Sequence, residues 1–171
     1  YKQAENYVAM AMEVAVERAT GKVSVRRVAC AHDCGLIVNP NALRNQVEGL
    51  IVQTLSRTLH EEVKFDRARV TSVDWNTYPI LRFPDAPAID VALINRPELP
   101  LYGAGEAAAV TVPGALANAI FDATGARVRT GSLGPAAGFA GLVLFAAIPA
   151  SLPAQELAFT PKLQPEWRAE A

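Results

Sequence analysis

Cysteine is nearly absent from this chain, and lysine and arginine never gather into a run. The two cysteines, Cys30 and Cys34, stand four apart on what reads as a strand running into a turn at Gly35. That spacing puts both on one face, so a disulfide between them would be strained; free thiols follow, in a reducing compartment or buried. The 16 basic residues are matched by 17 acidic ones for a net charge of -1, with no basic cluster of the size a nucleic acid needs, so no nucleic-acid partner is expected. Charged residues make up only 19% of the 171, against 51% hydrophobic, which excludes wholesale disorder and suffices for one domain with a real core. There is no internal repeat. The sequence opens at Tyr1 without an initiator methionine and inside an apparent helix, as expected of a piece of something longer.

Tyr1 to about Thr20 mixes Tyr7, Val8, Met10, Met12, Val14 and Val16 with Lys2, Glu5, Glu13 and Glu17, which suggests one helix ended by Gly21. Val23 to Cys30 alternates and is rich in β-branched residues, so a strand is expected there, closing on the Asp33-Cys-Gly35 turn. Asn39 then reads as the cap of a helix with Pro40 in its first turn and Leu43, Val47, Leu50, Ile51, Leu55 and Leu59 at helical spacing. Glu62–Phe65 and Arg69–Val73 resemble a short strand pair across Asp66, and Ile89–Ile94 reads as another strand. The proline-rich stretch from Tyr78 to Pro87 is extended in this reading. Pro113 to Gly125 has proline at its start and glycine at its end, which predicts a compact helix.

Two stretches carry candidate chemistry. In Leu101-Tyr-Gly-Ala-Gly-Glu106, Gly103 and Gly105 can take positive φ and let backbone approach a ligand, so Glu106 reads as a carboxylate presented to a pocket. By itself such a glutamate is more often an exposed loop acid or a helix-start acid. In Ala31-His-Asp-Cys-Gly-Leu-Ile-Val-Asn-Pro40, the neighbours His32, Asp33 and Cys34 point to opposite faces of a strand and do not converge on a metal, so no protein metal ligand is expected. Gln46, on the helix that follows, solvates a surface or reaches a ligand through an amide that both donates and accepts. Trp75, Tyr78 and Phe83 serve equally as core or as the lining of an entrance.

Taken in order, Ala31–Pro40 running on to Gln46-Val-Glu-Gly49, followed by Leu101–Glu106, resemble the C-terminal part of the molybdenum-binding subunit of the xanthine oxidase family. The flavour is the isoquinoline oxidoreductase-like and aldehyde dehydrogenase-like branch, and the resemblance runs from about Val23 to about Arg129. It implies an α+β fold with short mixed strands and at least three helices, part of a molybdopterin-binding domain. It also implies Glu106 as general base, taking the proton from the water-derived oxygen that attacks an electron-poor carbon. Gln46 becomes a contact to the pterin, Gly49 a site of close helix packing, and the Gly103 and Gly105 backbone a wall of the site. The implied cofactor is a molybdopterin-type molybdenum cofactor, the cytosine dinucleotide form being one candidate, with its thiolates supplied by the pterin. The implied partners are a small iron-sulfur subunit with 2Fe-2S clusters, an acceptor such as cytochrome c, and a small aromatic or aldehyde substrate. Where the family commonly has proline after the glutamate, this chain has Ala107.

The family pattern closes near Thr124–Arg129, so residues 1–130 read as the C-terminal portion of the cofactor-binding domain and residues 131–171 as an atypical hydrophobic tail. Pro135 to Ala154 carries no charge, and with Arg127 and Arg129 before it, the apolar run Gly138–Ala147 within it and Ala154 standing before Gln155 at its end, the tail mimics a secretory signal peptide. A frameshift-fused neighbouring frame, a short membrane anchor and a buried arm are the readings open for it. The alternative function is a non-catalytic docking or structural fragment tethered to a membrane by that tail. Cytoplasmic and periplasmic locations, membrane-associated or not, both fit.

Overall fold

Asn6–Val16 forms a strand, β2, where the sequence suggested a helix, and the period of burial says why. Val8, Met10, Met12 and Val14 turn to the core at every second position while Ala9, Ala11 and Glu13 face outward. Alanine, methionine and glutamate favour helices locally, but an eleven-residue partner strand outweighs that preference. The partner is β3, Val23–Asp33, antiparallel to β2 from Tyr7 opposite Asp33 to Val16 opposite Val23, with an irregularity at Glu13/Val14. Gly21, expected to end a helix, closes this hairpin instead at φ 71°, its amide donating to the Glu17 carbonyl at 2.8 Å. The computed structural model describes residues 2–3 and 6–129.

A two-residue strand, β1 (Lys2–Gln3), flanks β2 on its outer edge, and β4 (Ala88–Ile94) pairs parallel with β3, giving the order β1-β2-β3-β4. Parallel neighbours need a crossover, and the long connection between β3 and β4 carries helix α1, Pro40–Leu59. The Asn39 side chain accepts from the Ala42 amide at 3.0 Å, the cap expected from the sequence. Val47, Leu50, Ile51, Leu55 and Leu59 bury one face, and the Arg44 guanidinium donates to the Val91 carbonyl of β4 at 2.8 Å. Helix α2, Val112–Thr124, follows a 3-10 turn at Ala109–Thr111 and packs on β2 through Val112, Leu116 and Ile120. It ends at Gly125 (φ 74°), whose amide returns to the Phe121 carbonyl at 2.7 Å. The core is the inner face of the sheet, with Val8, Val25, Val28, Cys30 and Val91, closed by α1 and α2.

The fold is α+β with a mixed sheet. Among the described residues there are two α-helices and two 3-10 turns rather than three helices, since the third helix expected became β2. The strand pair expected over residues 62–73 reduces to one bridge, Phe65 to Val70, around a turn held by Asp66 Oδ1. With no third strand beside it, the pair gains nothing from extending. Trp75 and Phe83 are exposed (64% and 94%), so neither is a core residue, while the Tyr78 hydroxyl donates to Glu61 at 2.8 Å. The tail expectations fall on residues outside those described. No helix among the described residues is long and apolar enough to cross a membrane.

Candidate functional site: a tethered loop beside helix α1

Strand β3 ends at Asp33, and the turn after it is built on Gly35 at φ 77°, a left-handed conformation that costs any side chain. A Cβ at this position would also run into the Pro100 carbonyl and crowd the Tyr102 ring at 3.1 Å. Glycine is therefore what lets the loop that follows β4 lie against the end of β3. Once there it is sewn down: the Tyr102 amide donates to the Cys34 carbonyl and the Arg96 amide to the Gly35 carbonyl, each at 3.0 Å. Asp33 Oδ1 accepts the Gly35 amide at 3.1 Å while its Oδ2 lies 3.0 Å from Arg96 Nε, a charge contact rather than an aligned hydrogen bond.

Two side-chain amides from different elements then grip the loop at alternate carbonyls. Gln46 Nε2, from α1, donates to the Gly105 carbonyl at 2.6 Å. Asn6 Nδ2, from the first residue of β2, donates to the Gly103 carbonyl at 2.6 Å. Behind Asn6 stands His32, fully buried, with Nε2 2.9 Å from Asn6 Oδ1. Burial holds the His32 ring below the usual histidine range, with Asp33 opposing that shift. Glu106 follows directly; its carbonyl accepts from the Ala109 amide at 3.0 Å, and Ala107 and Ala108 sink into the core. The carboxylate itself is exposed and has no partner among the described residues.

Gln46, Gly103, Gly105 and Glu106, separated by up to sixty positions in the chain, are thus gathered onto one loop-and-helix face. Two expectations do not hold. The left-handed glycines among the described residues are Gly21, Gly35 and Gly125, not Gly103 or Gly105. Gly49 makes no close helix contact, since a Cβ added there, as at Gly103 and Gly105, would meet nothing within 4 Å. The glycine loop is held by its carbonyls, not by an unusual φ. Sequence reading missed Asn6, His32 and Arg96. The signal for Asn6 was there: period-two alternation puts it on the same face as Val8 and Met10.

The thiols are packed and unpaired; burial pushes Cys30 up to about 11, and burial and then Asp33 raise Cys34. Neither is an activated nucleophile. Among the described residues no group of three or more His, Cys, Asp or Glu is placed to hold a metal ion. Two concavities among the described residues, one between β2 and α2 along Met10, Thr111 and Asn118, the other beside His60 and Pro84, are not lined by Gln46, Gly103, Gly105 or Glu106.

Residues 2–87 match the molybdopterin cofactor-binding domain. The chain belongs to that family, within the molybdenum-binding subunits of xanthine oxidase type. It is 49% identical over 123 residues to a nicotinate dehydrogenase chain of Pseudomonas putida, covering 72% of this chain and 10% of that protein. It is 32% identical over 130 residues to the beta chain of isoquinoline 1-oxidoreductase of Brevundimonas diminuta, covering 76% of this chain and 16% of that one. Among solved structures, the aldehyde oxidoreductase of Desulfovibrio desulfuricans superposes with a TM-score of 0.71 at 28% identity, over 80% of this chain and 15% of that chain. The chain therefore spans about a tenth to a sixth of the relatives it matches. A molybdopterin-type group fits the residues present: the space beside Gly49, Gly103 and Gly105 is open, and the second amide atom of Gln46, Oε1, is left to accept.

Proposed function

We propose that this chain supplies one wall of the active site of a molybdenum hydroxylase that oxidises an N-heteroaromatic or aldehyde carbon with water as oxygen donor. The observation that carries the reading is the Gln46–Gly105 hydrogen bond, which joins the two motifs into one face with Glu106 as the next residue. When bound, the molybdopterin cofactor supplies the oxygen-transfer and two-electron chemistry. Gln46 holds the loop with its NH2 group and offers Oε1 to the pterin edge. The Gly103 and Gly105 backbone leaves room for a planar group to approach. Glu106, its carboxylate exposed and without a partner among the described residues, and anchored behind by buried Ala107 and Ala108, takes up the proton that the attacking oxygen must lose. In this reading residues 1–130 are the C-terminal portion of the cofactor domain, and 131–171 a separate tail. The cofactor is the cytosine dinucleotide form, and electrons leave through a small 2Fe-2S subunit to a cytochrome c. Nicotinate and isoquinoline in the relatives' names support a nitrogen heterocycle as substrate.

The test uses the full-length protein with its small subunit, and nicotinate, isoquinoline and benzaldehyde as substrates. Glu106→Gln should retain molybdenum and lose roughly 100- to 10,000-fold in kcat. Unchanged turnover would remove Glu106 from the role of base. Mass spectrometry of the nucleotide released on denaturation reads the cofactor form. A second reading, a structural portion inactive by itself, is favoured by the small share of the relatives that the chain spans; the isolated chain would then hold no cofactor.

A further inference from the structure

The buried pair behind the Glu106 loop has a direction that can be deduced from its far end. A carbonyl oxygen only accepts, so Asn6 must turn its NH2 group toward Gly103 O. Its own oxygen then faces His32 Nε2, so that nitrogen must carry the ring proton. His32 Nδ1 is left as a bare lone pair, and it is buried without a donor among the described residues. The ring is thus a neutral Nε2–H tautomer. His32 lies opposite Val8 across the β2–β3 ladder, which sets Asn6 diagonally beside it on the buried face. A polar group in that position is costly unless it is paired, and both polar side-chain atoms of Asn6 have a partner, Oδ1 in the ring and Nδ2 in the loop. The contact reaches across 97 residues of sequence, from the start of the sheet to the glycine loop.

We propose that Asn6 and His32 are positioning residues that set the height of the Gly103–Gly105 arc, and through it the place of Glu106. This rests on Glu106 being the base. Gln46 holds one end of the arc and Asn6 the other, so losing either lets the carboxylate drift from its productive position. The pair touches neither substrate nor cofactor; it acts through the loop.

The test uses the full-length holoenzyme with its small subunit. Asn6→Asp keeps the shape but sets a second acceptor against the Gly103 carbonyl. His32→Leu removes the donor, and His32→Gln restores an N–H near the position of Nε2. The expected result is faster deuterium uptake in the peptide spanning residues 101–106 for Asn6→Asp and His32→Leu. With it, kcat should fall roughly 10- to 100-fold while KM changes little. His32→Gln should sit close to wild type in both. If Asn6→Asp does not accumulate, Asn6→Ala, which removes the donor without adding an acceptor, takes its place. Wild-type loop exchange and wild-type kcat in Asn6→Asp and His32→Leu would overturn the proposal. Glu106→Gln is run alongside. If it turns over normally, the base reading fails and the role in turnover fails with it, and any change in exchange reports only a structural tether. If it is inactive while Asn6→Asp is normal in both readouts, the base stands and the positioning role falls.

Discussion

Gly35 is what lets the loop after β4 lie against the end of β3. Its φ of 77° is one that alanine adopts at a cost of about 1–2 kcal/mol, and the Pro100 carbonyl occupies the space a Cβ would need. Gly35→Ala should therefore lower thermal stability by several degrees and loosen the Leu101–Glu106 loop, which calorimetry and proteolysis at that loop would read together. An unchanged melting point would mean that the turn relaxes without loss. The residue scale is also where the sequence spoke least evenly. Gln46 and Glu106 could be singled out as candidates because each sits in a motif, and the fold brings them onto one face. The roles of Asn6 and His32 could not be read this way, because they come from a contact between the first residue of a strand and a loop some hundred positions later. The burial of His32 follows only from the fold, and which of its nitrogens carries the proton follows only from the acceptor at the end of the chain of bonds.

At the scale of elements, α1 and α2 announced themselves through their ends. Asn39 and Pro40 open the first, and Pro113 and Gly125 bound the second. α1 carries Gln46 two turns in from this cap, where the side chain is held to the Gly105 carbonyl by its own hydrogen bond. Asn39→Ala should cost about 1 kcal/mol of stability, read as a shift in denaturation midpoint, with the larger part of any activity retained. A loss of activity beyond that stability change would mean that the cap also sets the Gln46 position. The same reasoning from local signals failed at β2. Its alanines, methionines and glutamate satisfied a helical pattern as well as an alternating one, and the deciding fact, an eleven-residue partner strand, lies outside the segment. It failed again at residues 62–73, where β-branched residues and a good turn were present but no sheet was at hand to extend.

Across the described residues, the arrangement is a small mixed sheet with two helices on its inner face and a glycine loop lashed across one end. The lashing comes from three directions: the turn after β3, the first residue of β2 and helix α1. The central claim is that this brings Gln46 and the Glu106 loop into a single face that holds a molybdopterin cofactor. Gln46→Glu tests it most directly. The residue is exposed, so folding should not depend on it, yet the change sets an acceptor against the Gly105 carbonyl where a donor stood. In the full-length enzyme with its small subunit, molybdenum and pterin per protein are measured against wild type. The account predicts a fall of roughly tenfold or more in bound cofactor with an unchanged melting point of the cofactor-free protein. Full occupancy and full turnover in that variant would contradict it.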